Sequence, residues 1–189
     1  MNNIVNEIKK YVIDKSNSYK EKNKYDFWTE HINYVDDNAI MLAKEYNADL
    51  EIVELAALLH DISLINEIGP REEHHTYSSQ VAKEILGQYG YPKEKTGKVL
   101  NCILNHRDRN KYPRTSMEED CVGDADIISH FDNIPMIFSK AYLILKLSHS
   151  AGAKYVRDSL NNDYEGLSPK TKEIYKDKFE NIIKILFRE

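Results

Sequence analysis

One stretch restricts what this chain can fold into more than any other. Ile52, Val53, Leu55, Ala56, Ala57, Leu58 and Leu59 form a run that is apolar on nearly every side, and it stops abruptly at His60-Asp61. A helix without a polar face belongs inside a shell of other helices. The run therefore delivers an imidazole and a carboxylate to the interior. Burying a carboxylate is costly unless a cation, a ligand or hydrogen bonds compensate it, so the pair requires a partner. Taken alone, the pair reads first as a helix end whose His60 is satisfied by a backbone carbonyl.

The remaining elements follow from helical spacing. Ile4, Ile8, Tyr11 and Val12 predict an amphipathic helix over 4–16. Thr29 is the expected cap of a second helix with the inner stripe His31, Val35, Ala39, Leu42 and Tyr46. Asp49 caps the central helix, and residues 62–73, containing Gly69-Pro70, read as a loop. His74-His75 precede a helix that starts near Ser78 and closes at Gly90, and His75, nearer the helix start, is expected to face inward rather than His74. Pro92 opens a helix whose stripe Val99, Ile103 and His106 places a further histidine at its inner end, followed by Arg107, Asp108 and Arg109. Ser116 and Glu119 form a capping box for a helix that turns Asp126 to the core and leaves Asp124 on another flank, in a supporting or solvated position. Pro135 opens an apolar helix through Leu147 expected to pack in the core. Ser168-Pro169 starts a last helix docked by Ile174, Phe179, Ile182, Ile185 and Leu186. With no alternating strand series, repeat or Gly-rich phosphate loop, the fold class is all-α. The expected organisation is a single domain over 1–189, with a motif core at 28–130 and the helices of 135–188 packed on it.

At 189 residues with 41% hydrophobic side chains, the chain can bury a core without disulfides or a structural metal, so any metal would be functional. A net charge of −5 argues against general nucleic-acid binding but leaves room for a local basic pocket such as Arg107 and Arg109. Cys102 and Cys121 lie in apolar helical patterns without CxxC spacing and read as reduced core residues. The opening residues lead into a charged amphipathic segment, and no apolar span is long enough to cross a bilayer, so a cytoplasmic protein without a membrane partner is expected.

Separate helices thus each carry a potential ligand at an inner position: His31, His60 with Asp61, His106, and Asp126, with His75 at a helix start. Such a mixed nitrogen and oxygen set suits a divalent transition metal, Mn, Fe, Co, Ni or Zn.

The order of these motifs resembles the HD-domain superfamily of metal-dependent phosphohydrolases. Its first His, its doublet after an Ala-Leu-Leu-rich helix and its later Asp match His31, Ala56-Ala57-Leu58-Leu59-His60-Asp61 and Asp126. The small stand-alone members are similar also in His74-His75-Thr76-Tyr77-Ser78-Ser79, Ile103-Leu104-Asn105-His106-Arg107 and Asp124-Ala125-Asp126. The chain departs from them after Asp126, where Ile127-Ile128-Ser129-His130-Phe131 stands in place of Leu-Asp-Ala and a Gly-rich stretch.

The resemblance implies an HD-type helical bundle with His31, His60, Asp61 and Asp126 as metal ligands. His75 and His106 would bind a second ion, or touch phosphate or water beside a single ion. Asp61, His75 and His106 would be the catalytic residues, and Arg107 and Arg109 the substrate contacts. The implied activity is hydrolysis of a small phosphorylated substrate, a nucleotide included. Two alternatives carried by the same architecture are a di-iron oxygenase and a metal-binding regulatory module.

Overall fold

The computed structural model describes residues 3–187 and, among them, contains helices and turns but no strand. Asn3–Asn23 is α1, Asn33–Tyr46 α2, Leu50–Leu59 α3, Ile62–Ile65 α4, His74–Gln88 α5, Lys93–Asn105 α6, Met117–Asp132 α7, Ile134–Ser139 α8, His149–Gly166 α9 and Pro169–Leu186 α10. By its contacts the chain divides into two compact units, residues 1–126 and 127–189, with α7 running through the division.

In the first unit α3 is the centre. Ile52, Val53, Leu55, Ala56, Ala57, Leu58 and Leu59 are all fully buried, and α3 packs against α1, α2, α5 and α6. The absence of a polar side on α3 is thus a consequence of being covered all round. Its start is fixed by Asp49, whose carboxylate accepts from the Glu51 and Ile52 amides.

Several local expectations are revised. Helix α1 continues past Ser16 to Asn23, because Ser16 itself lies on the buried face below Val12 and keeps the inner stripe in phase. Asp26, not Thr29, caps the chain entering α2: its Oδ1 accepts from the Trp28 and Thr29 amides at 3.1 and 3.2 Å. That entry is a π-helical turn, Trp28–Ile32, running directly into α2. The segment after Asp61 is not an open loop but holds α4 and a short 3-10 turn, Arg71–Glu73. Helix α5 begins at His74, so both neighbouring histidines sit in its first turn.

In the second unit α9 packs with α8 and α10, and Phe179 stacks on Tyr164 at 4.2 Å between ring centroids. The long apolar helix expected from Pro135 to Leu147 breaks up instead. A π-helical turn, Lys140–Ile144, adds a residue to the turn and rotates the apolar stripe, leaving Leu143 and Ile144 74% and 73% exposed. Ser168 caps α10 as expected, but the buried face of that helix runs through Thr171 and Tyr175, and Ile174, Ile185 and Leu186 lie off it, in solvent. Cys102 and Cys121 are buried free thiols.

Candidate metal centre

Five elements of the first unit bring six polar side chains together. The π-helical turn supplies His31, the end of α3 supplies His60 and Asp61, the start of α5 supplies His74, the end of α6 supplies His106, and α7 supplies Asp126. An extra residue in a π turn re-aims the side chains it carries, and such turns recur at functional positions.

The cluster has two halves that share Asp61. In one, His31 Nε2 lies 3.1 Å from His60 Nε2, 3.3 Å from Asp126 Oδ1 and 3.5 Å from Asp61 Oδ2, and His60 Nε2 lies 3.7 Å from Asp61 Oδ2. In the other, His74 Nε2 lies 3.2 Å from Asp61 Oδ1 and 3.1 Å from His106 Nε2. Three of the imidazoles are oriented by one device. Nδ1 of His60, His74 and His106 donates to the carbonyl three residues earlier, Ala57, Arg71 and Ile103 respectively, each at 2.7 Å. A carbonyl partner fixes the proton on Nδ1 and leaves the Nε2 lone pair facing inward, the arrangement common to metal-ligating histidines.

This donor set fits a divalent cation. With each Nδ1 turned to a carbonyl, the Nε2 atoms of His74 and His106 face each other at 3.1 Å, an unfavourable contact between two lone pairs unless something positive lies among them. Asp61 Oδ1 is buried and accepts no aligned hydrogen bond among the described residues. Both His31-His60-Asp61 and Asp61-His74-His106 have donor atoms close enough to surround one ion.

The protonation states agree. Burial pushes the Asp61 carboxyl up, but His60, His31, His74 and His106 outweigh it and hold it below its ordinary value. Burial likewise raises Asp126, while the hydrogen bond and charge of His31, with His60 and His106 behind it, bring it well down. His106 is lowered to about 3, by burial first and then by His60. Near neutral pH the two carboxylates are therefore anionic and His106 neutral, as metal ligation requires.

Of the residues expected from the sequence, His31, His60, Asp61, His106 and Asp126 come together. His75 does not join them. Its ring packs on Tyr112 at 4.5 Å, its buried Nδ1 finds no hydrogen-bond partner among the described residues, and its neighbour His74 takes the inner position. With α5 starting at His74 rather than near Ser78, the two side chains diverge by a helical step of about 100°, and only the first is directed at Asp61. Arg107 donates to the carbonyl of Glu72, two residues before His74. Arg109 is 3.1 Å from Asp120, paired with α7 rather than with the histidines. Asp124 is neither solvated nor a ligand in either half. It is fully buried and takes a 2.6 Å hydrogen bond from Arg114, whose own side chain is also fully buried. Spacing gave no hint of Arg114; Gly123, where any side chain would collide with the guanidinium, is its one trace.

A family model described as HD domain matches residues 29–134. Among solved structures, a predicted HD superfamily hydrolase from an uncultured Thermotogales bacterium is 25% identical, with 82% of this chain and 84% of that one covered at a TM-score of 0.58. Bacillus subtilis YpgQ is 20% identical, with 96% and 91% covered at a TM-score of 0.68. YpgQ in complex with ADP is 21% identical, with 96% and 90% covered at 0.67. No curated protein matches the chain. The match spans more than half of the chain and contains His31, His60, Asp61, His74, His106 and Asp126, so this chain belongs to the HD domain family.

Proposed function

We propose that the chain is a metal-dependent phosphohydrolase acting on a nucleotide or another small phosphate ester. The observation that carries this reading is the shared carboxylate: Asp61 presents one oxygen to His31 and His60 and the other to His74. His31, His60, Asp61 and Asp126 would hold one divalent transition-metal ion, and Asp61, His74 and His106 a second. When bound, such an ion lowers the pKa of a water toward neutrality and polarises a phosphoryl oxygen. The protein's own part is to hold His60, His74 and His106 by their Nδ1 atoms and to keep both carboxylates ionised. Arg107, next in the chain to His106 and beside the turn that ends at His74, would set a positive charge against the phosphate. That YpgQ forms a complex with ADP supports a nucleotide as the class to test first.

The test is a phosphate-release screen over nucleotides and simple phosphoesters with protein reconstituted in turn with Mn, Fe, Co, Ni and Zn. The expected result is release that needs added metal and is abolished by EDTA. The same two halves would also hold an iron pair, so oxygen uptake with iron and no phosphate release would select the oxygenase reading instead.

A further inference from the structure

We propose that Arg114 is a positioning residue for the metal cradle, clamping the His106 end of α6 to the helix that carries Asp126. This rests on the metal-dependent reading above and assigns a task to a residue outside both ligand sets. Arg114 lies in the connection between α6 and α7, yet its side chain is fully buried. Its guanidinium reaches three acceptors in different directions: Nη1 donates to Asp124 Oδ1 at 2.6 Å, Nη2 to the His106 carbonyl at 3.2 Å, and Nε to the Asn105 carbonyl at 3.3 Å.

The two carbonyls belong to the last turn of α6, where no later helical amide is available to them. Asp124 stands two residues before Asp126 on α7, so one planar group fixes both the end of the helix that aims His106 and the strip of helix that aims Asp126. The seat is shaped for it. A Cβ at Gly123 would come within 2.2 Å of the guanidinium carbon, so glycine there leaves the space that the clamp occupies. A second tie runs parallel, from Glu119 to the Asn105 amide at 3.0 Å and to the Thr115 backbone N–H at 2.8 Å. It engages Asn105 but not the His106 carbonyl, which leaves the histidine's own backbone to Arg114. A lysine could keep the charge opposite Asp124 but not the fork that serves three acceptors.

Removing one member of a buried pair strands the other charge, whereas replacing both with apolar groups is often neutral for stability. The informative variant is therefore Arg114→Met combined with Asp124→Leu, with Arg114→Lys as the variant that strands no charge. Three readouts are taken on the full chain: unfolding temperature in EDTA, Mn2+ affinity by titration calorimetry with the metal alone, and hydrogen exchange of the amides of 103–107 in apo protein. Both variants are expected to unfold near the wild-type temperature, to exchange faster at 103–107 but not in α3, and to bind Mn2+ at least about tenfold more weakly, the usual scale for loss of a ligand-orienting partner. Wild-type Mn2+ affinity and wild-type exchange at 103–107 in a folded variant would overturn the proposal, leaving Arg114 a packing residue. Should wild type bind no divalent ion, the metal reading falls by that result, and exchange at 103–107 still decides whether Arg114 holds the end of α6.

Discussion

An imidazole has two nitrogens, and at His60, His74 and His106 they have separate tasks. Nδ1 ties the ring to a carbonyl three residues back, while Nε2 faces the cluster. The helix-cap reading of His60 and its proposed ligand role are thus compatible in the same side chain, one at each end of its ring. That explains why the sequence alone leaves them in competition. The sequence favours His75 over His74 because the start of α5 lies four residues before its expected position, which exchanges the orientations of the two adjacent histidines. The consequence is testable: His74→Ala should lose metal-dependent turnover by at least about a hundredfold if it holds a second ion, whereas His75→Ala, which removes a ring packed on Tyr112, should chiefly lower the unfolding temperature. Equal turnover losses in the two variants, measured on metal-loaded protein, would contradict this assignment.

Between elements, the legible parts were those set by local chemistry. The α3 run, the Asp49 cap and the Ser168 cap each depend on side chains within a few residues, and each stands in the structure. The parts that were not legible depend on an added residue in a turn or on a distant partner. Neither π-helical turn has a periodic signature, yet one aims His31 and the other turns Leu143 and Ile144 outward. The Asp26 cap holds the first of these turns, so Asp26→Ala should cost about 1 kcal/mol of stability and weaken metal binding through His31. Denaturant unfolding of apo protein checks the first part and metal titration the second. A distant tie of the other kind joins α1 to α2, where Lys9 Nζ meets the fully buried Asp36 at 2.7 Å. Lys9→Met should cost about 2 kcal/mol, less than for a wholly buried pair because Lys9 is 33% exposed on its side chain. Asp36→Asn in the same background should recover part of that loss in a denaturant melt.

For the molecule as a whole, the cluster makes apo stability depend on pH. His106 is lowered from an ordinary 6.5 to about 3 in the folded chain. Above pH 6.5 the ring is neutral in both states and adds no penalty. As pH falls below 6.5 the unfolded chain takes up a proton that the folded chain refuses, so stability declines progressively toward pH 3. Asp61 and Asp126, both lowered, add a further loss as pH falls past the ordinary carboxylate value through their folded values. In EDTA the unfolding temperature should therefore drop between pH 7 and pH 4, and drop less in His106→Gln. An equal drop in both proteins would remove His106 as the cause.

The proposed role of Asp61 is that of a metal ligand shared by both halves of the cluster. It is tested most directly by elemental analysis of wild-type and Asp61→Ala protein, each reconstituted with Mn2+ and passed through gel filtration before measurement. Wild type should retain stoichiometric metal, and Asp61→Ala should retain almost none while keeping its helical circular dichroism. Equal metal in the two folded proteins, or none in reconstituted wild type, would contradict the account.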